Sequence, residues 1–288
     1  MGTLDTLSDS EFEQFRRLIY EQSGIALNDS KKELLRTRLR SRLDREGYHS
    51  YREYFEHIKS DRTGNMLVPL LDDISTNLTS FFREVNHFNF LKQILPEWID
   101  RKQRAGIKTW RIWSAGCSTG EEPYTLVFTM LEMLGARAGS WDVKVLATDL
   151  STEVLGRAAQ GLYDRERMKD VPKSMQAAYF VEENAELTTK QGKRLGMRAC
   201  VRVIPEVRRL ITFKRFNLMN TQYPFKHKFD FIFCRNVMIY FDKPTQETLV
   251  NKFYQHLASG GYLFIGHSES LTGLQHKFVY NQPTIYQK

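Results

Sequence analysis

A turn between an apolar strand and a helix carries the residues best suited to hold a small cofactor. The segment from Arg111 to Tyr124 reads RIWSAGCSTGEEPY, with small residues in the turn and Glu121 and Glu122 opening the helix. Small residues let a ligand approach the backbone, but a phosphate-binding turn would end in Gly-Lys-Ser/Thr or contain GxGxxG. Two carboxylates favour a cationic ligand instead, and S-adenosylmethionine carries a sulfonium and an ammonium. The alternative is that both glutamates only complement the helix N-terminus.

Residues suited to ligand contact also follow three other predicted strands. In chain order these residues are Asp149, Asn217, Leu218, Arg235, Asn236 and Tyr240. The carboxyl ends of parallel strands form one rim, where ligands bind. On that rim we expect Asp149 to bind the two ribose hydroxyls, and Asn217 and Leu218 to contact the adenine. Asp149 could instead cap the next helix, and Asn217 could form an Asx turn.

The turn after the predicted strand 229–235 narrows the chemistry. It reads CRNVMIY from Cys234 to Tyr240, where enzymes that methylate nitrogen usually carry an Asn/Asp-Pro-Pro-aromatic sequence. Arg235 favours an anionic acceptor, because an arginine can hold a carboxylate by two parallel hydrogen bonds. A carboxylate with an ordinary pKa near ~4.3 is already deprotonated at neutral pH and needs no general base. These residues therefore predict a carboxyl O-methyltransferase.

The elements that must position these residues fall into a helical front part and an alternating remainder. From Ser8 to about Lys102 the pattern is helical, with breaks predicted at Ser23-Gly24, Gly47, Thr63-Gly64 and Pro96. Strands and helices then alternate over residues 109–115, 121–134, 143–149, 151–160, 210–217, 229–235, 243–258 and 261–266. This alternation predicts an α/β fold with a doubly wound parallel sheet.

Two further segments complete the predicted architecture. A long insertion separates the helix 151–160 from the strand 210–217, and its alternating stretches around Glu186–Val203 predict a small β excursion. Residues 278–287, interrupted by Asn281-Gln282-Pro283, predict a closing hairpin.

Composition restricts the class of protein. The 288 residues are 41% hydrophobic and 26% charged, as in ordinary globular proteins. No apolar stretch approaches the roughly 18 residues of a membrane span, and Met1–Ser10 lacks the pattern of a signal peptide, so we expect a cytoplasmic protein. Cys117, Cys200 and Cys234 form no CxxC pair, which argues against disulfides and structural zinc. The seven histidines include no HExxH, so no metal is expected.

Positive charge is concentrated in two segments. The net charge is +8 and the pI is about 9.3. Lys31–Arg45 carries seven basic and two acidic residues, with Leu35, Leu39 and Leu43 spaced to form one apolar stripe of an amphipathic helix. Lys190–Arg215 carries nine basic residues and one acidic residue. Either segment alone could be a solvated face, but two of them beside a cofactor domain favour an acidic macromolecular substrate.

Six segments share their order and spacing with a known protein family. They are STNLTSFFRE at 75–84, IWSAGCSTGEEPYTL at 112–126, ATDLS at 147–151, FNL at 216–218, FDFIFCRNVMIYF at 229–241 and GYLFIGHSES at 261–270. In these segments the chain resembles the chemotaxis receptor glutamate methyltransferases of the CheR family. The resemblance implies methyl transfer from S-adenosylmethionine to receptor glutamates, which gives a methyl ester and S-adenosylhomocysteine.

The same resemblance implies a fold with three parts. We expect an all-helical N-terminal domain with its linker at 1–85 and a Rossmann-like class I methyltransferase domain at 86–288. A small inserted β-subdomain would occupy about 181–207. In the linker, Asn77, Thr79 and Arg83 would contact the cofactor, with Arg83 close to the methyl group and able to orient the acceptor carboxylate. The neighbouring Phe81 and Phe82 would lie in the core.

The resemblance also assigns roles within the sheet domain. Glu122 would hold the ammonium of the methionine moiety, which leaves Glu121 as a charge at the helix N-terminus. Arg235 and Asn236 would line the pocket, and Tyr240 would place its hydroxyl near the transferred methyl group.

Substrate recognition is implied at the basic segment 31–45. It matches the family region that recognises the acidic methylation helices of transmembrane chemoreceptors, with Arg36, Arg38, Arg40 and Arg42 as substrate-binding residues. The β-subdomain binds a short peptide at the receptor C-terminus in some members and not in others, and here that partner stays open. We expect a monomer that is recruited to receptors at the inner face of the membrane, without membrane insertion or nucleic acid.

Two other functions remain possible from the sequence. The first is an RNA or small-molecule methyltransferase, although RNA-binding segments more often interleave aromatics with basic residues, and Lys31–Arg45 has none. The second is a signalling module that keeps the cofactor pocket without turnover. The presence of Arg83, Arg235 and Tyr240 favours turnover.

Overall fold

A computed structural model describes residues 6–61, 66–74, 77–188 and 194–288, and the front part of the chain is helical in it. Its helices are α1 (Asp9–Ser23), α2 (Lys32–Glu46), α3 (Tyr51–Ser60), α4 (Leu67–Ile74) and α5 (Asn86–Arg104). α1 and α2 end as predicted, because Gly24 and Gly47 adopt the left-handed conformation that terminates helices. The break predicted at Thr63-Gly64 lies outside the described residues.

The break predicted at Pro96 is wrong. Pro96 lies inside α5, which continues to Arg104 although proline removes one backbone hydrogen bond. The helix buries an apolar face on both sides of the proline, including Leu91, Leu95 and Trp98. Burial of this face compensates for the lost hydrogen bond, so tertiary packing overrides the local preference.

The apolar stripe predicted for the basic segment forms the centre of the helical core. Leu35, Leu39 and Leu43 are fully buried on α2, together with Phe15 of α1 and Tyr54 of α3. α2 therefore has one face in the core, and most of its basic residues lie on the other faces.

Arg42 is the exception, and its predicted role in substrate binding is corrected here. Its side chain is only 7% exposed and forms ion pairs with Asp73 and Glu46. Its Nη2 also donates a hydrogen bond of 3.0 Å to the carbonyl oxygen of Pro69. Arg42 thus fastens α2 to α4, and its guanidinium does not reach the exposed basic face.

The rest of the chain alternates between strands and helices. In chain order its elements are β1 (Thr109–Ala115), α6 (Glu121–Leu134), β2 (Asp142–Asp149), α7 (Thr152–Gln160), β3 (Leu162–Asp164), α8 (Lys173–Tyr179), β4 (Phe180–Thr188), β5 (Arg194–Val203), α9 (Pro205–Arg208), β6 (Ile211–Arg215), β7 (Phe229–Cys234), α10 (Lys243–His256), β8 (Leu257–Ile265), β9 (Val279–Gln282) and β10 (Ile285–Gln287). Each strand and helix predicted for this part is present, with ends that shift by a few residues.

The central sheet has the strand order β6-β2-β1-β7-β8-β10-β9. The pairs β2–β6, β1–β2, β1–β7 and β7–β8 are parallel, and the predicted hairpin β9–β10 adds antiparallel strands at the edge. β1 lies between β2 and β7, so the chain reverses its direction of winding beside β1. The carboxyl ends of these strands are where a doubly wound sheet binds ligands. The predicted α/β fold is confirmed.

A second, three-stranded sheet with the order β3-β5-β4 forms the insertion. The sequence predicted the long strands but not β3, which consists of only three residues. Arginines of β5 pair with acidic residues that lie outside the segment 190–215, as in the pairs Arg198–Asp164 and Arg202–Glu183. The large positive charge counted along that segment is therefore partly neutralised where the chain folds.

Among the described residues, no helix is long and apolar enough to cross a membrane. The division of the chain at residues 85 and 86 stays a prediction.

Arg42→Ala is expected to destabilise the protein, because it leaves the carboxylates of Asp73 and Glu46 without their counterion. Breaking a largely buried ion pair costs roughly 3 kcal/mol, which thermal or urea unfolding would detect. Arg45→Ala is the matched control, since Arg45 is an exposed arginine of the same helix. Equal unfolding midpoints for the two variants would contradict the assignment of Arg42 to the core.

Candidate active site

The residues predicted to bind the cofactor or to act in catalysis surround one cavity of about 370 Å³ at the carboxyl ends of the central strands, whereas Arg36, Arg38, Arg40 and Arg42 do not line it. Ten of the predicted residues line the cavity. They are Asn77, Thr79, Arg83, Glu122, Asp149, Asn217, Leu218, Arg235, Asn236 and Tyr240. The volume is within the usual range of small-molecule pockets. The structure therefore brings together ten residues that are up to 163 positions apart in the sequence.

The turn after β1 is shaped by close backbone packing. The backbone N–H groups of Gly116 and Cys117 both donate to the carbonyl oxygen of Thr148, at 2.8 and 2.9 Å. Gly116 has a φ of +85°, and a Cβ there would lie 2.3 Å from Cγ2 of Val237. Only glycine satisfies both conditions, so Gly116 allows the turn after β1 to pack directly against the turn after β7.

Asp149 is held at the end of β2 by backbone N–H groups. Its Oδ2 accepts a hydrogen bond of 2.8 Å from Ser118 N, and its Oδ1 accepts one of 3.0 Å from Ser151 N. The alternative that Asp149 caps α7 is wrong, because the cap is Ser151, whose hydroxyl accepts from Val154 N. The carboxylate of Asp149 lines the cavity in a fixed orientation.

The two glutamates that open α6 have different surroundings. Glu121 is fully buried, pairs with Arg167 and is absent from the cavity lining, so it is an internal ion-pair partner as well as a helix N-terminal charge. Glu122 lines the cavity, and its Oε1 accepts a hydrogen bond of 2.6 Å from the hydroxyl of Ser114. Burial raises the pKa of both carboxyl groups, and a nearby arginine opposes the shift in each case.

Arg235 is the counterion of Glu122 and of Glu84. Its side chain is 2% exposed, and its Nη1 lies 3.1 Å from Glu122 Oε2. Nε and Nη2 lie 3.2 and 3.1 Å from Glu84 Oε2, and Nη2 also donates to the carbonyl oxygen of Arg83. The expectation that Arg235 attracts an anionic acceptor is therefore corrected. Its guanidinium is already bound to two carboxylates of the protein.

Arg83 is the arginine that lies open to the cavity. Its Nη1 donates a hydrogen bond of 2.8 Å to the carbonyl oxygen of Leu78, and it forms no ion pair within the described parts of the chain. The flanking Phe82 and Glu84 adopt φ values of +52° and +56°, which are uncommon for such residues. Phe81 and Phe82 are buried, as expected.

Glu84 is a functional residue that sequence reasoning missed. Besides Arg235, it accepts a hydrogen bond of 3.0 Å from His267 N, so it ties the segment after α4 to the end of β8. Burial and the neighbouring Arg235 lower the pKa of His87 to about 3, so this histidine is neutral. Glu84, His87 and His267 place potential metal ligands within 4.8 Å of one another, but the positive charge of Arg235 opposes a cation there. Glu84 ends the segment 75–84, which is one of the six segments that carry the family resemblance. That resemblance was the signal in the sequence that could have identified Glu84.

Glu269 is a second residue that was missed, and it shapes the turn after β7. Its carboxylate accepts hydrogen bonds from the backbone N–H groups of Asn236, Val237 and Ile239, at 3.0, 2.9 and 3.2 Å. Burial raises the pKa of Glu269, and these hydrogen bonds oppose the shift. The contacts hold Asn236 at a φ of +57° and present Tyr240 to the cavity.

The helical part of the chain closes one side of the cavity, which the sequence did not indicate. Residues of the connection between α1 and α2 line it, including Ile25, Ala26 and Leu27. The backbone N–H of Ala26 donates a hydrogen bond of 2.8 Å to the carbonyl oxygen of Tyr240, and Ile25 forms a β-bridge with Phe241. The position of Tyr240 thus depends on the helical part.

Asn217 connects the same two parts of the chain. Its Oδ1 accepts a hydrogen bond of 2.9 Å from Met219 N, which is the Asx turn considered from the sequence. Its Nδ2 donates to the carbonyl oxygen of Gln22 at 2.6 Å. Asn217 lines the cavity beside Leu218, and its amide also joins the sheet to α1.

The lining of the cavity fits S-adenosylmethionine. Glu122 and Asp149 supply carboxylates, and Leu218 and Phe216 supply an apolar wall. Asn77 Nδ2 and Asn236 Oδ1 are buried and lack a hydrogen-bond partner among the described residues. Buried polar atoms normally have a partner, so an unpaired donor and an unpaired acceptor in one cavity indicate a polar ligand.

Comparisons with known proteins show the family of this chain. The chain matches the family described as "CheR methyltransferase, SAM binding domain" over residues 77–286 and "CheR methyltransferase, all-alpha domain" over residues 10–75. The chain belongs to the CheR methyltransferase family. It is an S-adenosylmethionine-dependent methyltransferase.

Relatives from several bacteria are similar over nearly the full chain. The chain is 38% identical to the "Chemotaxis protein methyltransferase" of Borreliella burgdorferi over 284 residues, which are 98% of this chain and 95% of that protein. It is 36% identical to the protein of the same name from Escherichia coli over 280 residues, which are 97% of this chain and 91% of that protein. The site residues of this CheR family member lie within the matched region.

Arg235→Ala is expected to weaken both the fold and the cofactor site, because Glu84 and Glu122 would be left without their shared counterion. We expect a loss of roughly 3 kcal/mol in the free energy of unfolding and more than a tenfold weaker affinity for S-adenosylhomocysteine. Thermal unfolding and isothermal titration calorimetry measure these changes. Arg209→Ala is the control, since Arg209 forms an exposed ion pair with Glu206. Unchanged stability and affinity in Arg235→Ala would refute the role of Arg235.

Proposed function

We propose that the protein transfers a methyl group from S-adenosylmethionine to the side-chain carboxylates of glutamates in chemoreceptors. The observation that carries this proposal is the contrast between two arginines. Arg235 is saturated by Glu84 and Glu122, whereas Arg83 lines the same cavity without an ion pair among the described residues. A guanidinium that is available beside the cofactor pocket suits an anionic acceptor. The relatives named chemotaxis protein methyltransferases support the receptor as the acceptor's source.

The cofactor would lie across the carboxyl ends of β1, β2 and β6. Glu122 would hold the ammonium, and Asp149 would bind the ribose hydroxyls. Asn217 and Leu218 would contact the adenine, with the connection between α1 and α2 covering that side of the cavity. The cofactor's other contacts would come from Asn77, Thr79, Arg83, Arg235 and Asn236.

The protein's task in the reaction is to position the acceptor. Bound S-adenosylmethionine supplies an electrophilic methyl group on a positively charged sulfur. Arg83 would orient the acceptor carboxylate by charge-assisted hydrogen bonds, and the hydroxyl of Tyr240 would lie beside the transferred methyl group. The acceptor is ionised at neutral pH, so no residue has to remove a proton. Alignment and partial exclusion of water would supply the acceleration.

Basic residues that follow the cavity lip would recognise the acceptor helix. Lys31, which directly precedes α2, lines the cavity, and Arg38 and Arg45 follow it at intervals of seven residues, so they continue the same face along α2. These three side chains form no ion pair among the described residues. Arg36 is paired with Glu33, and Arg40 is exposed on a different face. An acidic helix lying along α2 could place one glutamate in the cavity.

The proposal places the enzyme in the cytoplasm, at receptors on the inner face of the membrane. It acts as a monomer in this account, because the described residues already complete the cavity. We do not propose that a receptor C-terminal peptide binds the β-subdomain, because the charges of Arg198 and Arg202 are paired within that sheet. We also do not propose RNA as a substrate, because α2 carries no aromatic residue beside its basic residues.

Arg83→Ala is expected to reduce methyl transfer at least a hundredfold while largely keeping the affinity for S-adenosylhomocysteine. The reason is that the acceptor carboxylate loses the guanidinium proposed to orient it, whereas Glu122 and Asp149 remain. Transfer of labelled methyl groups to a chemoreceptor cytoplasmic fragment measures the first quantity, and calorimetry measures the second. Arg83→Lys should recover part of the activity, because lysine keeps the charge but not the two-pronged geometry. Arg104→Ala serves as a surface control. Full transfer by Arg83→Ala would exclude the proposed role of Arg83.

A further inference from the structure

The turn after β1 is held from behind by the second, three-stranded sheet. Gly116, Cys117 and Ser118 line the cavity, and the next residue, Thr119, does not. The carbonyl oxygen of Thr119 accepts a hydrogen bond of 2.7 Å from the hydroxyl of Tyr163, which lies in β3. Burial raises the pKa of Tyr163, so its hydroxyl stays protonated and can donate. One side of the turn thus lines the cavity, and the other side is bound to the insertion.

Tyr163 packs closely against this turn and against the linker. A Cβ at Gly120 would lie 3.0 Å from the hydroxyl oxygen of Tyr163, so the absence of a side chain there lets Tyr163 reach the turn. The ring of Tyr163 also makes an edge-to-face contact with Phe81, with ring centroids 4.9 Å apart. Phe81 lies two residues before Arg83 in the linker. Tyr163 therefore contacts two segments that contribute to the cavity, although it does not line the cavity itself.

An ion pair ties the insertion to the same turn a second time. Glu121, at the start of α6, is fully buried and pairs with Arg167, which lies in the 3-10 turn Arg165–Met168 after β3. Oε2 of Glu121 accepts a hydrogen bond of 2.7 Å from the hydroxyl of Thr119. A buried carboxylate needs a cation beside it, so Arg167 fixes Glu121 and thereby the side chain of Thr119. The carbonyl and the hydroxyl of Thr119 are thus both held from the insertion.

The residue before Thr119 connects this support to the cavity. The N–H of Ser118 donates a hydrogen bond of 2.8 Å to Asp149, and its hydroxyl donates one of 3.1 Å to the carbonyl oxygen of Asn77. Ser118 has a φ of +50°, and a residue other than glycine keeps such a backbone only where its surroundings hold it there. A shift of Thr119 would therefore move Ser118 and with it the carboxylate of Asp149.

We infer that Tyr163 and Arg167 are positioning residues for the cofactor, because they hold the turn after β1 in the shape that binds S-adenosylmethionine. The inference rests on the proposed place of the cofactor in the cavity. It goes beyond the proposed function, since it holds whichever acceptor is methylated. It also gives the insertion a role at the cofactor site. Because linkage is reciprocal, a bound cofactor must in turn stabilise the contacts between β3 and the turn.

Tyr163→Phe removes the hydroxyl and keeps the ring against Phe81. We expect the affinity for S-adenosylhomocysteine, measured by isothermal titration calorimetry, to fall roughly fivefold, which corresponds to about 1 kcal/mol. Tyr179→Phe is the matched control, because Tyr179 of α8 donates a hydrogen bond of 2.8 Å to Glu132, near the other end of α6. Its affinity should change by less than twofold. Unchanged affinity in Tyr163→Phe, or equal losses in the two variants, would overturn the inference.

Arg167→Ala and Arg167→Lys test the second contact. Removal of the guanidinium leaves Glu121 without its counterion, so we expect Arg167→Ala to bind S-adenosylhomocysteine roughly tenfold more weakly. Arg167→Lys should recover most of this affinity, because a single contact with one carboxylate oxygen needs only a point charge. If lysine gave no recovery, or if alanine bound as tightly as arginine, the role of Arg167 would be excluded.

Amide hydrogen exchange separates positioning from a general loss of stability. In the wild-type protein, saturating S-adenosylhomocysteine should slow exchange in β3 and in the turn 165–168, although neither lines the cavity. At equal saturation, this protection should be smaller in Tyr163→Phe. Protection confined to the residues that line the cavity would contradict the coupling. None of these measurements uses an acceptor, so a failure to methylate receptor glutamates would count against the proposed function and leave this inference standing.

Discussion

The site depends on the ion pairs of one buried guanidinium. Arg235 binds Glu84, Glu122 and the backbone of Arg83, and these three residues come from the linker and from the start of α6. Two carboxylates this close together and this deeply buried would not both stay ionised without a cation between them. Arg235 therefore opposes the rise in the pKa of Glu122 that burial causes, and it fixes the backbone that carries Arg83. A single side chain thus connects Glu122, which is proposed to bind the cofactor, to the segment of Arg83, which is proposed to orient the acceptor.

A second constraint is that the cavity is complete only when the helical part rests on the sheet. Ala26 holds the carbonyl of Tyr240, and Asn217 holds the carbonyl of Gln22, so contacts between the two parts occur at residues that line the cavity. Lys31, which directly precedes α2 and begins the face proposed to bind the acceptor, lines the cavity at this same junction. In the proposed function, recognition of the receptor and placement of Tyr240 would therefore depend on one interface. The family includes an all-alpha domain beside the methyltransferase domain, which agrees with such a shared construction.

Sequence reasoning succeeded where the signal was local. The turn after β1, Asp149 after β2 and the apolar stripe of α2 follow from residue type and spacing, and the structure has all three. Prediction from the sequence failed where a contact with a residue far away in the chain determines the position of a side chain or the length of a helix. Arg42 is indistinguishable by sequence from Arg38, and only the positions of Asp73 and Glu46 bury it. The partners of Arg235 and Glu269, and the helix that continues through Pro96, likewise depend on contacts that no local pattern contains.

The central claim is that the product is a glutamate methyl ester, and its chemical lability tests it most directly. The enzyme would be incubated with methyl-labelled S-adenosylmethionine and a chemoreceptor cytoplasmic fragment, and the labelled fragment would then be treated with mild base. A methyl ester hydrolyses under these conditions, so the account predicts that the label leaves as methanol. Label that stays on the fragment after base would indicate methylated nitrogen and would contradict the account.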